Sequence, residues 1–376
     1  MSIIIKDLDY YGRGVAHANG KTVFVKNALP GEEVEIKYTK EKKNFDEAVA
    51  ISIEKGSDYR RKAPCPYYGI CGGCNIMHIN YDYQLEFKKA KVKNIIKRLA
   101  GIDVDLDILP SNEFNYRNKI TLHNNGVLGY KKDSSNEIVP IEKCLLAKEQ
   151  INEYLKTIED YEHEELIIRT NDKNEIISSL KEGYIIEEIN DYKFRIDINS
   201  FFQVNNYICS KVFDFISENT KEVENALDLY SGVGTLSFIA SKKAKRVYSI
   251  EVNDNSYINA LENIKLNNIK NVTIMHGKVE DKIKEINSNI DLIITDPPRS
   301  GMDTFTIETI LKMLPKEIVY MSCEPSTLAR DLNFLKNKYN IKNIRAFDMF
   351  PNTYHVECVS LLCLKDTLKT LKNNSF

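Results

Sequence analysis

The chain has 376 residues, 43% of them apolar and 28% charged, a balance that fits a globular protein of two or three domains and excludes collagen, low-complexity disorder and a small disulfide-stapled scaffold. No apolar stretch is long enough to span a bilayer, and the N-terminus lacks the apolar core of a secretory signal, so a cytoplasmic protein with no membrane partner is expected. Lys+Arg is 52 against 54 Asp+Glu, a net charge of −2, so any contact with nucleic acid has to use locally gathered basic residues.

Residues 1–57 read as all-β. Short apolar runs such as Thr22–Val25 and Glu33–Ile36 lie between turn residues Gly12, Gly14, Gly20, Pro30 and Gly31. A small antiparallel barrel fits; such barrels serve either to bind oligonucleotides or as accessory structure. A basic connector, Arg60-Arg61-Lys62, follows, and then three cysteines, Cys65, Cys71 and Cys74. The spacing predicts a helix over about 81–99, with Leu85, Phe87, Val92, Ile95, Ile96 and Leu99 as its buried stripe. Its lysines, among them Lys88, Lys91, Lys93 and Lys97, form either a solvated face or phosphate contacts. Residues 58–195 as a whole read as a mixed α+β central domain, with an acidic run near Glu162–Glu165 that disfavours RNA at that spot.

From residue 196 to 376 strand-like and helix-like runs alternate, the mark of an open sheet with parallel strands. The strands are expected at Asn225–Tyr230, Arg246–Val252, Asn271–Met275, Ile290–Thr295 and Glu317–Ser322. Two last runs, Ile344–Met349 and Val356–Lys365, leave no room for a crossover helix and are expected to pair antiparallel.

The first of these strands leads into Asp228-Leu229-Tyr230-Ser231-Gly232-Val233-Gly234-Thr235, where glycines let the backbone turn tightly against a ligand. Glu251, at the end of the next strand, can accept from ribose hydroxyls. The third glycine of a dinucleotide fingerprint is missing, which favours a nucleoside cofactor such as S-adenosylmethionine over NAD. Asp296-Pro297-Pro298-Arg299 ends a further strand, and its prolines hold a carboxylate at a rigid rim.

Cys323 follows the strand Glu317–Ser322 and precedes a helix for which Ser326 looks like the N-cap. A helix N-terminus favours the reactive thiolate. His355 and Glu357 are both candidate bases near the last strand, and spacing does not choose between them. Cys65, Cys71, Cys74 and Cys144 suit a structural zinc or an iron–sulfur cluster. Cys209, Cys358 and Cys363 read as core residues.

Taken together, Phe201–Asn205, Asp228–Thr235, Asp296–Arg299, Ser322–Asp331 and Asp348–Glu357 resemble, in order, the motifs of the S-adenosylmethionine-dependent RNA uracil-C5 methyltransferases. The resemblance extends to the cysteines and to the N-terminal barrel, which is similar to a TRAM domain. It implies a Rossmann-like class I methyltransferase domain, an OB-like barrel and a mixed α+β iron–sulfur domain. Gln203, Tyr230, Gly232, Glu251 and Asp296 then fall at cofactor positions, Cys323 at the nucleophile and Glu357 at the base. Cys65, Cys71, Cys74 and Cys144 fall at the ligands of a [4Fe-4S] cluster.

The implied partner is RNA, 23S ribosomal RNA first and tRNA as the alternative, with no obligate protein partner. The barrel, the Arg60–Lys62 connector and the lysine-rich helix are where its contacts are expected. Two other readings are an amino-methyltransferase working through Asp-Pro-Pro, which leaves Cys323 and Glu357 unexplained, and a non-catalytic RNA chaperone. The chain departs from the family pattern at Glu324, where Asn is usual, at Asn352, where His or Gln is commoner, and at Lys278, which stands in place of an acidic residue.

Overall fold

The computed structural model describes residues 2–159, 161–181 and 183–365. They form two compact units, neither continuous in sequence. The first holds the chain up to Lys91, Asn112–Ile167 and Phe350–His355; the second holds Val92–Ser111, Ile168–Met349 and the chain from Val356. The division expected at residue 195 is therefore not a unit boundary. The second unit already takes in the chain from Ile168, and it gives up Phe350–His355 to the first.

The first unit opens with a six-stranded sheet ordered β1-β5-β6-β4-β3-β2. Its strands are β1 (Ser2–Ile4), β2 (Asp7–Leu8), β3 (Gly14–Ala18), β4 (Lys21–Lys26), β5 (Glu33–Glu41) and β6 (Phe45–Lys55). Period-two alternation turns Val23, Val25, Val34 and Ile36 inward, where they close one core with Ile3, Ile5, Ala16 and Ala48. The expectation of a purely antiparallel barrel needs correcting, because β4 and β6 pair in parallel.

Helix α1 (Tyr81–Ala100) buries Phe87, Val92, Ile95 and Ile96 as its spacing predicts, but Leu99 is exposed. Two of its lysines fit neither reading of the basic face, whereas Lys97 and Arg98 stay exposed as a solvated face requires. Lys88 and Lys91 are buried, and their ammonium groups donate to the carbonyls of Phe350 (3.0 Å) and Tyr354 (2.8 Å). The Arg60–Arg61 connector also turns inward. Arg60 pairs with the fully buried Glu32 (2.5 Å), and Arg61 pairs with Glu113 (2.5 Å) and donates to Asn352 (2.8 Å). These four cations hold the protein's own groups, so they do not form the free phosphate-binding stripe expected of them.

Strand β7 (Asp107–Leu109) belongs to the second unit; the meander β8 (Lys119–Asn124), β9 (Leu128–Lys131), β10 (Ile138–Pro140) and helix α2 (Glu149–Leu155) belong to the first. Strand β11 (Glu165–Thr170) crosses the boundary, and β12 (Ile176–Ser178) and the hairpin β13 (Tyr184–Ile189)–β14 (Tyr192–Asp197) follow it.

The second unit then alternates as expected. It runs through α3 (Asn206–Asn219), β15 (Val223–Leu229), α4 (Thr235–Ser241), β16 (Ala244–Glu251), α5 (Asp254–Leu266), β17 (Val272–His276) and α6 (Val279–Lys282). It continues with β18 (Leu292–Thr295), α7 (Thr304–Met313), β19 (Glu317–Ser322), α8 (Pro325–Leu335), β20 (Tyr339–Phe347) and β21 (Glu357–Leu364). The eight strands lie in the order β17-β16-β15-β18-β19-β21-β20-β7. The first five are parallel, and β21 runs antiparallel between β19 and β20. All four residues of β18 are buried, which is why the central strands read as unbroken apolar runs. The edge strand β7 was not anticipated from the sequence.

Candidate active site

Sheet register assembles the site. Leu229 lies beside Ile250 and Thr295, Thr295 beside Tyr320, and Ser322 beside Cys358 across the antiparallel pair. A step or so past these pairs come Glu251, Tyr230, Asp296, Cys323 and Glu357. They form a row along one edge of the sheet, neighbouring strands being about 4.8 Å apart. Five residues singled out in the sequence are thus brought together by one topological fact.

At one end of the row the chain turns from β15 into α4. Tyr230 takes a left-handed conformation (φ 62°), and the turn closes through Ser231 N–H to Ile250 O (3.0 Å) and Gly234 N–H to Ser231 O (2.9 Å). Gly232 also has positive φ (56°), and a Cβ there would meet nothing within 4 Å, so open space lies over the turn. Glu251 fastens it by accepting from the amides of Gly232 and Asn253, each at 2.7 Å. Each of its oxygens keeps a lone pair free for a hydroxyl. Gln203 is half-buried two residues ahead of Asn205, which caps α3 and donates to Ser111 Oγ (2.9 Å).

At the other end Cys323 and Glu357 face each other from the mouths of β19 and β21. Burial pushes the Cys323 thiol up to about 12, with the carboxyls of Glu357 and Asp296 adding to the rise. A side-chain hydrogen bond and the charge of Arg299 pull the other way. The thiolate is therefore not favoured at rest, contrary to the expectation from the helix N-terminus alone. Burial, then Asp296, also raises Glu357 well above the usual carboxylate range. Glu357 is 2% exposed and its Oε1 has no hydrogen-bond partner. Burial likewise raises Asp296. Of the two candidate bases only Glu357 stands on the row; His355 belongs to the first unit, its ring centroid 4.2 Å from that of Tyr354.

The cap of α8 also differs from expectation. Glu324, not Ser326, is the N-cap: its carboxylate accepts from the Ser326 amide (3.2 Å) and hydroxyl (2.5 Å), and Pro325 takes the first helical position. Glu324 thus supplies the capping oxygen that an Asn would supply at the same place. Arg299 was read only as part of a rigid rim, and its contact with Cys323 was missed; the available signal was a cation directly after Asp-Pro-Pro.

Cys65, Cys71, Cys74 and Cys144 gather in the first unit, half-buried and unbridged. Cys74 lies within electrostatic reach of the other three, and Ala63, Tyr68, Met77, Phe114, Tyr116 and Leu146 pack about the set. Among the described residues, no three His, Cys, Asp or Glu side chains close into a site for a single metal ion. Cys209 and Cys358 are buried as expected, but Cys363 is only half-buried.

A sheet of five parallel strands in which the antiparallel β21 is inserted between β19 and β20, with a glycine turn after β15 and an acidic residue at the end of β16, is the fold of a class I methyltransferase. Comparison with known proteins narrows this. The family model for tRNA (uracil-5-)-methyltransferase matches residues 163–365, and the TRAM model matches residues 1–51. An RNA methyltransferase of Aquifex aeolicus is 34% identical, covering 97% of this chain and 99% of its own; one of Thermotoga maritima is 34% identical, covering 94% and 97%. Among solved structures, the tRNA (uracil-54, C5)-methyltransferase of Pyrococcus abyssi, in complex with S-adenosyl-L-homocysteine, superposes with a TM-score of 0.77. It is 27% identical and covers 96% of this chain and 99% of that one. The chain belongs to the tRNA (uracil-5-)-methyltransferase family and is an S-adenosylmethionine-dependent RNA methyltransferase.

Proposed function

We propose that the protein methylates C5 of a uridine in RNA through a covalent bond between Cys323 and C6 of the base, with Glu357 as the proton acceptor. The observation that carries the reading is the register pair Ser322–Cys358, past which Cys323 and Glu357 are the next residues where β19 and β21 open, close enough for the Glu357 carboxyl to act on the thiol. Gln203, Tyr230, Gly232, Glu251 and Asp296 would hold S-adenosylmethionine, whose sulfonium, when bound, supplies the methyl group. The open space above Gly232 and the free lone pairs of Glu251 suit a ribose there.

Uracil C5 is a weak nucleophile. Cys323 gives up its proton to solvent and its sulfur bonds to C6, which leaves an enolate that is nucleophilic at C5. After C5 has been methylated, the Glu357 carboxylate removes the C5 proton. The C5–C6 double bond re-forms, the S–C6 bond breaks and the thiolate is released. The target base has to leave its stack to reach the row. Glu357 is a strong base once ionised, because its site disfavours the charge. Both groups must lose a proton and both are held high, so turnover should climb as pH rises from 6 to 9; a flat profile would count against the assignment.

The direct test is trapping with RNA that carries 5-fluorouridine, whose C5 fluorine cannot be removed as a proton. Wild type should form a denaturant-stable complex and Cys323→Ala none. With ordinary RNA, Glu357→Gln should accumulate the adduct. Methyl transfer by Cys323→Ala would sink the mechanism.

The target we favour is 23S ribosomal RNA, because barrel and four-cysteine set occur together. The tRNA alternative is favoured by the Pyrococcus abyssi relative, whose substrate is a tRNA uridine. Mapping missing 5-methyluridines in both RNAs from a deletion strain separates them. We also propose that Cys65, Cys71, Cys74 and Cys144 hold a [4Fe-4S] cluster. Cys65, Cys74 and Cys144 pack on one apolar cluster, Cys71 lies within electrostatic reach of Cys74, and a cluster takes one thiolate at each of its corners. Anaerobic purification should yield stoichiometric iron and sulfide; zinc without iron would reject the cluster.

A further inference from the structure

Asp331 lies on α8, eight positions after Cys323, and is fully buried. Its Oδ2 accepts from the Tyr320 hydroxyl (2.5 Å) and the Met302 amide (3.0 Å), and its Oδ1 from Arg330 Nε (2.7 Å). Arg330 in turn donates to the Met302 carbonyl (2.8 Å). One carboxylate thereby ties together β19, α8 and the loop Asp296–Asp303.

The same loop is fastened to α8 a second time, by the Thr327 hydroxyl, whose one proton is shared between the Arg299 and Glu324 carbonyls (3.1 Å each). It packs so closely that a Cβ on Gly301 (φ 75°) would lie 2.6 Å from Arg330 Nη2 and 2.8 Å from Asp331 Oδ2. Gly301 also donates to Pro298 O (2.8 Å), which turns the loop back on itself next to Arg299. Arg299 itself is exposed and reaches Cys323 with its side chain. Nothing in an exposed arginine's own rotamers would keep it there; its backbone is what the structure fixes.

We propose that Asp331 is a positioning residue: by locking the Asp296–Asp303 loop onto α8, it sets the Arg299 guanidinium against the Cys323 thiol. The proposal rests on reading Cys323 as the reactive group, but it can be tested without RNA or cofactor. An arginine at the thiol favours the thiolate, and only the thiolate alkylates. Releasing the loop should therefore slow alkylation of Cys323 and move its pH profile upward.

The experiment follows iodoacetamide labelling of Cys323 in the full-length protein, peptide by peptide, as a function of pH. Arg299→Ala and Asp331→Asn should both slow labelling at pH 8, by about 3- to 10-fold, since a one-unit rise in thiol pKa removes tenfold of thiolate. Labelling of Cys363, in the same unit, should not change. An unaltered Cys323 profile in either variant overturns the proposal. Should Asp331→Asn not fold, Thr327→Val decides: slower labelling supports the lock, and an unchanged profile overturns it. Failure of the covalent mechanism would register separately, as methyl transfer by Cys323→Ala, and would leave the labelling result to judge Asp331.

Discussion

Two buried polar regions of this molecule are built on opposite terms. In the first unit, Asn352 is fully buried with positive φ (65°), and every one of its polar groups is used. Its amide donates to Gln84 Oε1 (2.9 Å), and its carbonyl accepts from Asn75 (3.1 Å) and Ile76 (3.2 Å). Its side chain accepts from Arg61 (2.8 Å) and Gln84 (3.2 Å) and donates to Glu113 O (2.9 Å). In the second unit, the strand-end row and the strands beneath it leave Glu357 Oε1, Asp228 Oδ1 and Thr295 Oγ1 buried without partners. Buried polar atoms are ordinarily satisfied, and leaving one bare costs on the order of 1–3 kcal/mol. The saturated region spends its polarity on shape. The unsaturated one keeps raised acids and bare oxygens where substrate and cofactor would come.

The comparison breaks most readily at Glu357. Glu357→Gln should lower turnover by about 10²- to 10⁴-fold, the range of a positioned general base. Its folding stability at pH 8 should be equal to wild type or higher, because the variant no longer buries an acid that resists ionisation. A thermal melt several degrees lower than wild type would place Glu357 with the scaffold instead.

Asn352→Ala is the converse. It strips hydrogen bonds from Arg61, Gln84 and the Glu113 carbonyl and leaves a β-carbon residue at positive φ. We expect a loss of about 3 kcal/mol or more in urea unfolding. A loss below about 0.5 kcal/mol would mean that the saturated network does not carry structure. Lys88→Met is gentler. It keeps the buried stem and removes the bond to the Phe350 carbonyl, so about 1–2 kcal/mol is expected by the same measurement.

The two regions were not equally legible in the sequence. The row was readable because parallel strands buried on both faces are unbroken apolar runs, and chemistry-bearing residues sit just past their ends. Spacing left His355 and Glu357 both open and only the family resemblance pointed to Glu357; the antiparallel register of β19 and β21, which no local pattern encodes, is what puts Glu357 and not His355 on the row. The cap of α8 was misplaced by two residues because Ser is the better capper by propensity; Pro325 at the first helical position was the overlooked signal. The saturated region was invisible. Lys88 and Lys91 find their carbonyls 262 and 263 residues away, and a lysine's sequence context does not reveal a partner at that distance. Strand β7, three residues long, is too short to show a period.

The most discriminating prediction concerns an acid under the row that no step of the chemistry uses. Asp228 is fully buried on β15; its Oδ2 accepts from Ser237 Oγ (2.5 Å), which is itself 2.7 Å from Ser249 Oγ, and its Oδ1 has no partner. Burial, with Asp296 and Glu251 adding charge nearby, lifts it to about 8 from an ordinary 3.8. Between those two values the folded chain holds a proton that the unfolded chain has released. Unfolding then releases a proton, so rising pH favours it: the stability tied to Asp228 is present in full below about 4, falls through the window, and levels off above about 8. Asp228→Asn has no proton to hold. Melting temperatures measured from pH 5 to 9 should therefore decline less steeply in the variant than in wild type, and the two curves should draw together toward acid. Parallel curves would show that Asp228 is ionised in the folded protein, and the unsaturated strands would then carry a buried negative charge instead of a neutral acid.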